Sequence, residues 1–469
     1  MKRRVAAVGI VVVLLASHHR STYADSPSQA PPRPDSPSTK RPIPDYDGRG
    51  PPRSGGNPAL WLPRLLLSPV YLVSEFLLRR PLAIAIPAAE HADVPRKLYD
   101  FFTFGREHKL GIVPTALAEF NFNPSVGFLA FWNDAGFKND DMTLHAEGWP
   151  DAWAAAIFTQ HIQLDRSHAV LVHASAIRRP DKVFYGLGPE SLQSSQSRYG
   201  VNSVDAGGAY EWRFWRSSRI QTAVGVRDVS VYDGHYGIDP SLLNEAATGA
   251  FPVPYGFGRE YTAEYNRVVG SVDTRAPAGR LGSGARLEVT GEQASDLRNT
   301  PASGWLRYGA TAEVVADLDG YGRLLGLSVT TLFVDPLGAE PVPLTELVYL
   351  GGDHPMPGYY EGRLRDRSAA AATASYSWPI GPWLDGSLQL AVGNVFGTHL
   401  AGFDAGLLRF SGALGLSVDG CALSSNPECQ TQGFQGSPLE LLVGIGTETF
   451  DHGGQVDSIR VMFGVPHTF

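Results

Sequence analysis

From about Lys109 to Phe469, apolar residues recur at every second position. In Ile220-Gln221-Thr222-Ala223-Val224-Gly225-Val226-Arg227 the even positions are apolar or β-branched and the odd ones polar or small. The same rhythm sets Leu325, Leu327, Val329 and Phe333 against Gly326, Ser328 and Thr330. It also sets Leu439, Leu441, Val443 and Ile445 against Glu440, Gly444 and Gly446. A period of two is the strand signature. Runs of about ten to fourteen residues exceed the five or six of a soluble strand and suit the 9–11 that cross a membrane. One apolar face backed by a small, polar face predicts an all-β transmembrane barrel with lipid outside and water inside.

A soluble β-sandwich also alternates, but two further features favour the barrel. Short turns such as Asp317-Leu318-Asp319-Gly320 alternate with long irregular loops at 233–258 and 335–367, and the chain stops inside a strand, with Ile459, Val461, Phe463, Val465 and Phe469 on one face. Antiparallel strands are expected to begin near 110, 124, 141, 153, 168, 199, 218, 259, 283, 304, 323, 345 or 368, 384, 407, 438 and 456. That makes about sixteen, an even number as in single-chain bacterial barrels. With Phe469 placed in the periplasm, strand parity puts the 335–367 loop outside the cell.

The pattern differs before the barrel. Lys2, Arg3 and Arg4 precede an uncharged run from Val5 to Ser17 and then Thr22-Tyr23-Ala24, which predicts a signal peptide over 1–24. Pro-rich residues 25–60 read as a flexible tether. Residues 61–105 are expected to hold short periplasmic helices, one entered through Ser68-Pro69 and another near Pro95–Phe102. The barrel follows over 106–469. This organisation addresses the protein to the bacterial outer membrane, with its N-terminus in the periplasm and membrane lipid as its surroundings.

Composition agrees with an all-β chain, with 52 Gly, 10 % aromatics and only 4 Met in 469 residues. Loss of the signal peptide removes four basic residues and no acid, taking the formal charge from −8 to −12. An acidic chain without Lys/Arg runs is a poor partner for nucleic acid. Cys421 and Cys429 lie in one turn-rich segment and are expected to form a disulfide in an oxidising compartment, since no histidine lies nearby to complete a metal site. The sequence holds no nucleophile elbow, phosphate loop, dinucleotide fingerprint or zinc spacing. The expectation is a non-enzyme without a cofactor.

Three stretches carry a resemblance. Lys182-Val183-Phe184-Tyr185-Gly186-Leu187-Gly188 resembles the aromatic-Gly-x-Gly strand start of the bacterial surface antigen family, the barrel module of BamA- and TamA-type outer-membrane assembly factors. Gly351, Gly352, Asp353, Gly358, Tyr359, Gly362, Arg363, Arg365, Asp366 and Arg367 resemble its signature loop, which folds back into the barrel. Gly393-Asn394-Val395-Phe396 and the closing strands to Phe469 resemble its C-terminal end. The resemblance implies sixteen strands, with the loop between the eleventh and twelfth. It also implies a role in assembly, insertion or translocation of outer-membrane proteins, with unfolded outer-membrane proteins or a periplasmic protein as partners. The alternative is a passive channel or a structural scaffold gated by the 335–367 loop.

The departures define what must be tested. Where the family loop has Arg before Gly-Tyr, this chain has Pro357, and where the facing strands offer acids it has Ser375 and Ala391. Losing these together avoids leaving a buried charge unpaired. The cluster of Arg363, Arg365, Asp366 and Arg367 is expected either to pin the loop through lumen acids such as Glu440 and Glu448 or to remain solvated. The family's client-binding modules do not fit between Ala24 and Lys109, so either clients are delivered by another protein or there are no clients. Pro114 and Pro466, which lack an N–H, fall in the first and last strands and suggest a weakly zipped seam toward the periplasmic end. Pro can equally mark an ordinary strand edge.

Overall fold

The computed structural model describes residue 97 and residues 100–464, less 151, 276–282, 300–301, 319–321, 354, 381–383 and 419–438. The predicted signal peptide, tether and first helix lie outside these residues, as do Cys421, Cys429, Val465, Pro466 and Phe469. Of the second predicted helix, Lys97 and Asp100–Phe102 are helical.

Sixteen antiparallel strands close into a barrel: β1 (Leu110–Glu119), β2 (Ser125–Trp132), β3 (Asp140–Trp149), β4 (Trp153–Gln163), β5 (His168–Phe184), β6 (Ser197–Trp215), β7 (Ser218–Asp233), β8 (Glu260–Asp273), β9 (Gly284–Asp296), β10 (Gly304–Asp317), β11 (Leu324–Pro336), β12 (Ser368–Pro379), β13 (Leu384–Phe396), β14 (Arg409–Val418), β15 (Glu440–Thr449) and β16 (Val456–Gly464). Each pairs with its sequence neighbour, and β16 returns to β1. All sixteen begin within two residues of the expected positions. Position 345 belongs instead to the loop, where Val348–Leu350 pairs with Leu364–Asp366 in a ribbon of its own.

The alternation decides which face meets lipid. On β6 the outward row runs from Val204 to Phe214 through Tyr210 and Trp212. At roughly 3.4 Å per residue and a tilt near 40° this row is about 25 Å tall, the height of an outer-membrane apolar band. Inward positions along β10 and β11 are smaller or polar, with Gly309, Thr311, Gly326, Ser328 and Thr330. At the long-loop end, however, the barrel is packed. Val229, Val231, Tyr261, Trp305 and Val334 of the wall form one apolar core with Leu344, Leu347, Val348, Leu350, Met356, Tyr359 and Leu364 of the inward loop.

Candidate functional site

The loop between β11 and β12 folds inward because its turns permit it and its side chains require it. Gly351, Gly352 and Gly362 have φ of 106°, 86° and 76°, a region open to glycine at little cost. Apolar residues on both sides of these turns then bury themselves in the barrel. Charged ties hold the loop to opposite walls. Glu346 is 2 % exposed and accepts hydrogen bonds from Arg227 of β7 (3.1 Å), Arg307 of β10 (3.1 Å) and the Tyr261 hydroxyl of β8 (2.5 Å). Burial by itself would raise its carboxyl pKa, but Arg227 and Arg307 hold it below the usual glutamate range. Farther along, Glu361 accepts from Lys182 of β5 at 2.9 Å.

The tip, Gly358-Tyr359, docks on β14–β16. A Cβ at Gly358 would stand 1.9 Å from the Ile445 carbonyl oxygen, and Gly444 lies directly beneath the tip. Only glycine allows this approach. The Gly358 N–H donates to Ser411 Oγ (2.7 Å), and its carbonyl accepts from Ser458 Oγ (2.7 Å). The β14–β15 register slips between Arg409 and Ser411, a bulge that frees backbone groups of Thr447. The Tyr359 hydroxyl satisfies them, accepting from Thr447 N–H at 2.7 Å and donating toward the carbonyls of Thr447 and Phe410.

A second bulge supplies the acid that the sequence reading sought elsewhere. Gly446 pairs with Ser458 while Thr447 pairs with Val456, so Asp457 is the extra residue. Its side chain is fully buried and bridges Arg363 (2.8 Å) and Arg409 of β14 (3.3 Å). The Arg363 guanidinium, itself fully buried, also donates to Ser191 and stacks on Tyr185. The expected partners Glu440 and Glu448 are therefore corrected to Asp457, and the solvated reading of the cluster is excluded for Arg363 and Arg365. Arg365 donates to the Leu344 carbonyl (2.6 Å) and the Tyr199 hydroxyl (3.2 Å), and Arg367 pairs with Asp335. Burial pushes the Asp366 carboxyl up. Ser375 and Ala391 face inward as expected, and Ala391 is part of the loop's apolar core.

The three stretches that carry the resemblance meet in space. Phe184 packs edge-on against Phe251, and Gly186 and Gly188 have φ of 95° and 98°. The Gly188 N–H donates to the Arg365 carbonyl at 3.1 Å. The next residue, Pro189, offers its carbonyl to Asn394 (3.0 Å) and to Arg409 (3.1 Å).

The barrel closes between β1 and β16. Among the described residues, which end at Gly464, Leu117–Glu119 pairs with Met462–Gly464, and the Phe120 N–H donates to the Val461 carbonyl at 3.0 Å. Phe463 faces outward, 52 % exposed. Pro114 lies on β1 below this pairing, opposite Phe128 of β2. Lower still, Thr103–Phe104 folds back alongside Leu110–Gly111. Arg460 crosses the seam to Glu119 at 2.5 Å. Asp457, Arg409, Arg460, Glu346 and Arg227 were missed in the sequence. The available signal was a charge inside an otherwise apolar or small-residue closing strand, as at Arg460.

No protein-family model and no curated protein sequence matches the chain. Among solved structures, BamA from Haemophilus ducreyi lacking POTRA domains 1–3 aligns at a TM-score of 0.50 and 9 % identity, covering 76 % of this chain and 70 % of that one. CdiB from Acinetobacter baumannii aligns at 0.46 and 11 % identity, and CdiB from Escherichia coli at 0.46 and 10 %, each covering 76 % of this chain. The chain spans 59 % and 62 % of those two proteins. The barrel is thus built like that of BamA.

Proposed function

We propose that this chain is an outer-membrane barrel that inserts or translocates polypeptides, working through its β1–β16 seam and inward loop. The long-loop end faces the cell exterior, and the N-terminal residues, freed of the signal peptide, lie in the periplasm. The role in this reading is non-enzymatic. Lipid surrounds the apolar band, and unfolded outer-membrane proteins or a periplasmic carrier are the partners.

The inward loop carries the reading, because its tip docks on the closing strands and Arg460 ties it to Glu119 of β1 across the seam. Pro114 of β1 lacks the N–H that a fully paired strand uses, which makes the closing pair the cheaper place for this wall to part. A parted seam presents the edge of a strand, which templates pairing with another chain. The buried loop core supports this against a passive channel, because apolar packing fills the lumen at the long-loop end.

The test is the rate at which a small unfolded barrel protein inserts into liposomes containing this protein. Ala118 and Phe463 are seam partners that both face outward. A variant with Ala118→Cys and Phe463→Cys, in a background with Cys421→Ser and Cys429→Ser, locks the seam on oxidation. Acceleration over empty liposomes that disappears on oxidation and returns with reductant is expected. Equal rates with and without the protein would leave a scaffold.

A further inference from the structure

We infer that Arg460 couples the seam to the inward loop, so that parting of β1 from β16 and release of the loop tip are one event. The inference rests on the seam being the part of the wall that opens, and it is read out without any client.

Arg460 projects inward from β16 and is 4 % exposed. One arm of its guanidinium reaches Glu119, the last residue of β1, at 2.5 Å. Another reaches Asp353 of the loop at 3.1 Å, and the third points at the carbonyl of Pro357, immediately before the docked Gly358-Tyr359, at 3.5 Å. Three elements that must move relative to one another therefore share one planar group. Its fork geometry can serve several acceptors at once, as a single ammonium cannot.

Burial sets the sign of the coupling. If β1 moves away, Glu119 leaves and water reaches Arg460, so its tie to Asp353 becomes an exposed pair, which holds little. A second contact acts in the same direction. Phe122, in the turn between β1 and β2, packs edge-on against Tyr360 of the loop at 5.1 Å, and the Tyr360 hydroxyl donates to the Ile459 carbonyl of β16. Moving β1 withdraws Phe122 and weakens the seating of the loop. Reciprocity then requires that releasing the loop loosens the seam.

Hydrogen–deuterium exchange of residues 355–360 tests this in the Ala118→Cys, Phe463→Cys protein, compared oxidised and reduced. In the otherwise native chain, locking the seam is expected to slow exchange at the loop tip by about fivefold or more, the lower end of ordinary coupling between sites. In Arg460→Lys the difference between the two states should shrink severalfold, to what the Phe122–Tyr360 contact alone carries. If Arg460→Lys does not fold, Glu119→Gln cuts only the seam arm and should likewise shrink the difference. No slowing in the native background, or the same slowing with Arg460→Lys or Glu119→Gln, overturns the inference. Coupling without accelerated insertion would sink the proposed function and leave this inference standing. Accelerated insertion without coupling would do the reverse.

Discussion

Asp457→Ala removes one carboxylate from between two guanidiniums, Arg363 and Arg409, which are 0 % and 2 % exposed. Breaking a buried ion pair by deleting one partner costs about 3–5 kcal/mol, because the remaining charge stays out of water. The barrel ladders do not depend on this residue, so the cost falls on the seating of the loop and not on the wall. At about 1.4 kcal/mol per tenfold, the loop should open roughly a hundred to several thousand times more often. Protease added to the protein in liposomes should then cut within 343–367 in Asp457→Ala and spare the native chain, while both barrels resist unfolding in detergent equally. Adding Arg363→Met to Asp457→Ala takes away one stranded charge and should restore part of the protection, since apolar substitutes for buried pairs are often tolerated. Native-like protection in Asp457→Ala would refute the claim that this bulge residue holds the loop.

Tyr359→Phe strands the Thr447 N–H in a buried bulge, at about 1–3 kcal/mol. Exchange at Thr447 should quicken by roughly ten- to a hundredfold with little change elsewhere. Gly358→Ala forces a Cβ to within 1.9 Å of the Ile445 oxygen, so the tip should undock and protease should cut the loop as in Asp457→Ala. Glu346 supplies a pH signature. Its folded pKa lies below the usual value, so its contribution is complete above the ordinary glutamate range and is lost as pH falls through the folded value. Loop protection should decline on acidification below that range, and Glu346→Gln should weaken protection at neutral pH and flatten this dependence.

Much of the wall was legible in one dimension. Strand alternation repeats locally, every outward residue meets the same solvent, and a shift of one residue would turn every lipid-facing side chain inward. The strand starts, the twelfth left open between 345 and 368, and the place of the 335–367 loop followed from that rhythm and from turn residues, while the loop's inward fold came from the resemblance. The resemblance pointed to Gly358, Tyr359 and Arg363, which the structure places at the docked tip and in a buried ion pair, but it could not supply their partners.

Those partners depend on departures from the rhythm. Asp457 faces the lumen only because one extra residue in β16 turns it, and regular alternation would send it toward lipid. Arg460 lies more than three hundred residues from Glu119 in sequence, and only closure of the barrel makes them neighbours. The sequence by itself determined which residues form strands, which face is apolar and which loop carries unusual glycines and charges, because each depends on contacts within a few residues. Only the tertiary structure decided how the loop is tied, which acid holds Arg363 and which charges meet across the β1–β16 closure, because a bulge and a barrel closure are set by the register of strands that meet across the whole chain.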